Sequence, residues 1–169
     1  ILLDENEIAK AANRPKITEL KVSFSRDGFH WDRPYRDAFI PATRVPGSWD
    51  RGYVQSVGGI CTVVGDQLRF YYIGFKGGDS SSYMHSNGAT GMATLRRDGF
   101  ASMSTTGEGS LTTRPVKFSG KYMFVNVNCP AGELKVEILD KNNKVIDGFS
   151  ADKCKAVTID STIQQVEWN

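Results

Sequence analysis

The tetrapeptide Arg-Asp-Gly-Phe occurs twice in this 169-residue chain, at residues 26–29 and 97–100. Each copy closes a run that reads as a β-strand, residues 22–25 in the first and 93–96 in the second. Asp-Gly supplies the positive-φ corner that a tight hairpin needs. Each copy is therefore predicted to be a strand, a turn and a second strand starting at the Phe. Recurrence of such a unit points to a stacked or radial β-architecture made of similar pieces. A chance recurrence of a good hairpin turn is the plainer alternative, because the identity spans only these positions.

The remaining sequence also favours strands. Seventeen Gly, nine Phe and six Tyr suit turns and aromatic strands, and 40% hydrophobic with 24% charged residues is ordinary for a globular chain. A single helix is predicted, over residues 4–13, with Asp4 as cap, Glu7 three positions later and Pro15 as stop. Leu20, Val22 and Phe24 alternate with polar residues, as in a half-buried strand. Residues 58–64 and 68–74 flank the turn Gly65-Asp66-Gln67 and form the clearest hairpin; residues 68–73 are strongly aromatic.

Residues 76–90 are rich in Gly, Ser and Asn and are predicted to form a long exposed loop. His85 lies in it with no carboxylate or Cys nearby in sequence, and reads as a solvated loop residue. From Ser110 regular alternation predicts strands at 122–127, 134–139, 145–149, 156–159 and 163–168, with Asp140-Lys141-Asn142-Asn143 as a hairpin loop.

Several function classes find no support. The net charge is +2 and the 21 basic residues are scattered, so nucleic acid is not an expected partner. No apolar stretch reaches membrane-spanning length, so no membrane is expected either. The first residues lack the basic start and apolar run of a signal peptide, and the chain is expected to begin within a longer protein. Cys61, Cys129 and Cys154 are an odd set. Cys129 and Cys154 either pair across neighbouring strands or stay buried free thiols, the blander reading. None has zinc-ligand spacing, and no metal or cofactor is expected. G-x-S-x-G, the P-loop and H-E-x-x-H are missing. Gly77-Gly78-Asp79-Ser80 lacks a following helix, and Gly107-Glu108-Gly109 lacks a dinucleotide context.

Ser25-Arg26-Asp27-Gly28-Phe29-His30-Trp31 resembles the S-x-D-G-x-x-W element of β-propeller glycosidases, in which the Trp packs back between strands. Gly47-Ser48-Trp49-Asp50-Arg51-Gly52, followed by residues 63–72, looks like the last blades of five-bladed propellers related to glycoside hydrolase families 32 and 43. Residues 91–100 fit the end of such a propeller, and residues 111–115 and 132–137 look like the sandwich that follows it. The order of these motifs, from about Leu20 onward, resembles bacterial family-32-like glycosyl hydrolases. The resemblance implies an all-β fold: partial β-propeller blades over residues 1–108, with the short N-terminal helix, then an antiparallel β-sandwich over residues 109–169. It implies a periplasmic or secreted setting and a part in hydrolysing glycosidic bonds. The W-M-N-D-P-N-G type motif that a family-32 enzyme carries near its start has no counterpart here, so no catalytic acid carries over. The chain is expected to be the C-terminal portion of a glycoside hydrolase, working with the N-terminal remainder of that protein or with a partner chain.

Asp32, Asp37, Asp50 and Glu108 are the acids outside the obvious hairpin turns. Asp50 is the choice for a pocket, beside Trp49 in a Gly-flanked turn. Trp49, Asp50, Arg51, Tyr53 and Gln55 form the predicted carbohydrate-binding set, with Arg44 close in sequence. An indole stacks on a sugar ring, while carboxylate, amide and guanidinium groups bind its hydroxyls. The competing reading makes Trp49 a packing anchor and Asp50 a turn residue. Asp27 and Asp98 are explained by Asp-Gly turns, Trp31 reads as structural and Trp168 as core. A non-catalytic carbohydrate-binding module, or a structural β-domain with edges that recruit other strands, are the alternative functions.

Overall fold

The computed structural model describes residues 5–11, 16–78 and 84–169. The chain is nearly all β. The elements are α1 (Glu5–Ala11), β1 (Phe24–Ser25), β2 (Trp31–Asp32), β3 (Tyr53–Val64), β4 (Gln67–Phe75), β5 (Gly88–Arg96), β6 (Met123–Asn128) and β7 (Asp160–Val166). Asp4, Ala12 and Asn13 of the expected helix lie outside the described residues. Two compact units are present, Ile1–Val64 with Leu68–Thr94, and Gly65–Gln67 with Leu95–Asn169. The sequence change at Ser110 falls inside the second.

The first unit is organised by the sheet β3-β4-β5, with β4 in the middle. β4 earns that place through its sequence, Gln-Leu-Arg-Phe-Tyr-Tyr-Ile-Gly-Phe, in which aromatic and β-branched residues suit a pleated surface. Side chains alternate across a strand, so Leu68, Phe70 and Tyr72 share one face, and Tyr71, Ile73 and Phe75 the other. The loop between β3 and β4 is the two residues Gly65-Asp66, one shorter than expected. Gly65 has φ +58° and Asp66 does not, which matches a type II′ hairpin turn.

On the first of these faces Ile40, Ala42 and Val54 form a buried core, packed against Ile17, Leu20, Phe39, Phe70, Tyr72 and Ala93. Phe39 meets Phe70 edge-on at 5.2 Å. Val54 is 1% exposed, and its burial is worth roughly 1.5–3 kcal/mol. The segment before β1 is held along this core: Val54 N donates to Thr18 O at 2.9 Å, and Leu20 N to Ile40 O at 3.1 Å. The first Arg-Asp-Gly-Phe copy forms a hairpin, with Phe24 opposite Asp32 and Ser25 opposite Trp31, but residues 26–30 all lie in the reversal and the second strand starts at Trp31, not at Phe29. Trp31 stays 64% exposed and its indole N–H donates to Gly28 O, so it clasps its own turn and does not pack between strands.

The second unit is built on the antiparallel pair β6-β7, from Met123 opposite Val166 to Asn128 opposite Asp160, with a register shift between Val125 and Val127. The predicted strands at 134–139, 145–149 and 156–159 form only isolated bridges, Leu134 with Val157 and Leu139 with Val145. The Asp140 loop forms as expected: Asp140 Oδ1 accepts the backbone N–H groups of Lys144 and Asn142, which hold its carboxyl below the usual range. Trp168 is half-buried, meets Phe149 edge-on at 5.2 Å and donates to Val136 O.

All three cysteines are free thiols. Cys129 Sγ donates to Val157 O at 3.1 Å, and Cys154 Sγ accepts from Val136 N at 3.3 Å. The second Arg-Asp-Gly-Phe copy departs from expectation: β5 ends at Arg96, a turn follows, and no strand starts at Phe100. Residues 101–122 are exposed throughout, with no strand or helix.

Candidate functional site

The chain entering β3 folds back over residues 43–51. Thr43 N donates to Asp50 O at 3.2 Å, Arg44 N to Arg51 O at 3.0 Å, and Ser48 N to Val45 O at 3.1 Å. This reversal delivers Trp49 and Asp50 to the core side of the sheet. Asp50 is 6% exposed. Its Oδ1 accepts the hydroxyls of Ser48 at 2.5 Å and Thr43 at 2.9 Å, which compensates for burial of the charge. Asp50 thus lies in a turn, with its carboxylate held by hydroxyl side chains.

Trp49 lies 5.6 Å from Tyr72, with the ring planes tilted by 30°. Its benzo edge occupies space left by two glycines. A Cβ on Gly74 would come within 2.5 Å of Trp49, and one on Gly91 would meet Trp49 at 2.5 Å and Tyr72 at 2.7 Å. The glycines on β4 and β5 thus form a bed for an indole that remains 38% exposed. Burial, then the negative charge of Asp50, push the Tyr72 hydroxyl above its ordinary pKa, so the phenol stays protonated at neutral pH.

Tyr53 and Gln55 lie elsewhere. They alternate with buried Val54, so they project from the opposite face of β3. There Tyr53 meets Phe75 at 5.6 Å and His85 at 4.6 Å, and His85 meets Phe75 at 5.4 Å, all edge-on. Gly88 leaves room for Phe75, whose ring would stand 2.8 Å from an added Cβ. His85 is therefore exposed as a residue and yet joins an aromatic cluster. Gln55 is exposed.

The five predicted residues are consequently split by the sheet. Trp49 and Asp50 are neighbours on the core side, while Tyr53 and Gln55 belong to the other side. Arg51 is half-buried, and its carbonyl accepts the Arg44 amide. The Arg44 guanidinium is committed to Glu19 at 3.0 Å. Asp32, Asp37 and Glu108 are exposed, with Glu108 inside the structureless stretch.

Sequence reasoning missed Tyr72, His85 and the glycines under the rings. The signal for Tyr72 was its two-residue spacing from Gly74 and Phe70 within β4. His85 carried none, because its ring partners come from two distant strands. Among the described residues, no group of three or more His, Cys, Asp or Glu is arranged to hold a metal ion, and no helix is long and apolar enough to cross a membrane. Comparison with protein-family models, curated proteins and solved structures finds no match for this chain.

Proposed function

We propose that this chain is part of a protein that acts on glycans, as its resemblance to glycoside-hydrolase propellers suggests, and that its own contribution is sugar contact at Trp49. The observation that carries the reading is an indole fixed on Gly74 and Gly91, braced by Tyr72, and still 38% exposed. A rigid aromatic surface takes the apolar face of a pyranose with little loss of side-chain freedom. Ser48 and Thr43 hold the adjacent Asp50 through their hydroxyls, and Arg51 is the cation next in sequence. In the hydrolytic form of this reading Asp50 orients Ser48 and Thr43. Hydrolysis needs two carboxyl groups flanking the bond, and these are supplied by the remainder of the protein or by a partner chain. The occupied state of Asp50 Oδ1 favours a second reading, a non-catalytic carbohydrate-binding module.

The test is calorimetric titration of the chain with a panel of plant and microbial oligosaccharides. Saturable binding is expected, weakened about tenfold or more in Trp49→Ala and partly retained in Trp49→Phe, which keeps an aromatic ring on the glycine bed. Tyr53→Ala, on the opposite face, is expected to bind as the parent does. Absence of binding by the parent, or binding lost in Tyr53→Ala and intact in Trp49→Ala, would overturn the proposal. Sugar release by the longer protein, lowered by Asp50→Asn, selects the hydrolytic form; release unchanged by Asp50→Asn, with binding retained, selects the module.

A further inference from the structure

We infer that Asn87-Gly88, where the chain enters β5, is a site of spontaneous deamidation that places a new negative charge beside the Tyr53–Phe75–His85 cluster. It is the only Asn-Gly pair in the sequence. Both residues are exposed, and the Asn87 side chain has no hydrogen-bond partner among the described residues. Gly88 presents no side chain to obstruct attack; its one crowded side is filled by the Phe75 ring.

The direction of the Gly88 amide matters most. Lys76 N donates to Asn87 O at 3.4 Å. The Asn87–Gly88 peptide is trans, so the Gly88 N–H points opposite to the Asn87 carbonyl, away from Lys76. β5 is the edge of its sheet, so the Gly88 N–H faces outward. The bond that holds Asn87 in place is also long, which favours the local rotation that attack requires.

A second left-handed asparagine shows the contrast. Asn87 has φ +56° and Asn143 has φ +60°. After Asn143, however, the Lys144 amide is engaged by Asp140 Oδ1 at 2.9 Å and carries a full side chain. Asn126 is engaged by both Arg96 and Arg97.

The chemistry needs only water. The Gly88 amide nitrogen gives up its proton and bonds to Asn87 Cγ. The Cγ–Nδ2 bond breaks, and Nδ2 leaves as ammonia with that proton. The resulting succinimide is opened by water at either carbonyl, giving aspartate or isoaspartate at position 87. Either product is anionic. The isoaspartate also lengthens the backbone by one methylene at the start of an edge strand, two residues from His85.

Incubation of the folded chain at mildly alkaline pH, followed by trypsin digestion and mass spectrometry, tests this. The peptide of residues 77–96 contains one asparagine and no glutamine, so a gain of one mass unit there belongs to Asn87. The expected result is that this peptide gains the mass unit before any peptide carrying Asn126, Asn128, Asn142 or Asn143, and that isoaspartate methyltransferase labels it. Asn87→Gln is expected to remove both signals and leave the melting temperature unchanged. An unchanged 77–96 peptide, or earlier conversion at Asn142 or Asn143, would overturn the inference.

Discussion

The two Arg-Asp-Gly-Phe copies have identical sequences and different structures. In the first, Gly28 takes the left-handed conformation, at φ +79°, and Asp27 binds the turn through its side chain. In the second, Asp98 is left-handed at φ +56°, and Gly99 N donates to the backbone carbonyl of Arg96. The residue just before each copy accounts for the difference. Ser25 acts locally: its Oγ accepts the Gly28 amide at 2.8 Å and donates to Asp27. Arg96 reaches away. Its guanidinium donates to Asn126 Oδ1, Asp160 Oδ1 and Val127 O, tying the end of β5 to β6 and β7. The register shift between Val125 and Val127 brackets Asn126 and aims it at Arg96. A four-residue repeat therefore specifies that the chain turns, while its flank specifies how.

The largest effect is expected at the flank of the second copy. Arg96→Met removes three charge-assisted bonds from a side chain 33% exposed, so after allowance for solvent screening the loss is about 2 kcal/mol. Ser25→Ala, the matching change in the first copy, is expected to cost about 0.5 kcal/mol, since the same donors reach water. Equal losses in urea denaturation of the two variants would break the account. Gly99→Ala comes next, at about 1.5 kcal/mol, because the new Cβ would stand 2.8 Å from Arg96 O, a backbone atom that cannot move aside. Gly28→Ala meets open space and suffers only from its left-handed φ, at about 1 kcal/mol. Gly28→Asn should recover most of that, as asparagine tolerates this conformation; Gly99→Asn should recover nothing.

The same division between local and distant determinants explains what the sequence made legible. The all-β class, the β3–β4 hairpin, the Asp140 loop and the first copy are encoded by residues a few positions apart. The second copy is not, because Arg96 finds its partners 30 and 64 residues further along. Residues 134–149 alternate correctly, yet alternation assigns faces and does not supply a partner strand, and only single bridges form. The candidate site shows the same limit. Trp49 and Asp50 are adjacent in sequence and reach the same side of the sheet. Tyr53 and Gln55 were grouped with them by closeness in sequence, but β3 begins at Tyr53, and from there parity decides the side of the sheet.

The smallest effect is also the most specific to the first copy. Asp27 Oδ2 lies 2.5 Å from His30 Nδ1, and its Oδ1 accepts the His30 amide at 2.8 Å and the Phe29 amide at 2.9 Å. The His30 ring contact, then the two amides, hold the Asp27 carboxyl well below the usual carboxylate range. A carboxyl whose pKa is lower in the folded chain stabilises it above the unfolded value of 3.8, and that contribution drains away as pH falls below 3.8 toward the folded value. The turn is solvent-exposed, so the readout is local. The Phe29 and His30 amide resonances should keep their positions through the pH range where ordinary carboxylates titrate and shift only in stronger acid. Asp27→Asn should abolish that late shift, while the Gly99 amide, bonded to a backbone carbonyl, should not report it in either protein. Movement of the Phe29 and His30 amides together with the other carboxylates would mean that Asp27 does not hold the first turn, and the contrast between the two copies would then rest on Ser25 and Gly28 alone.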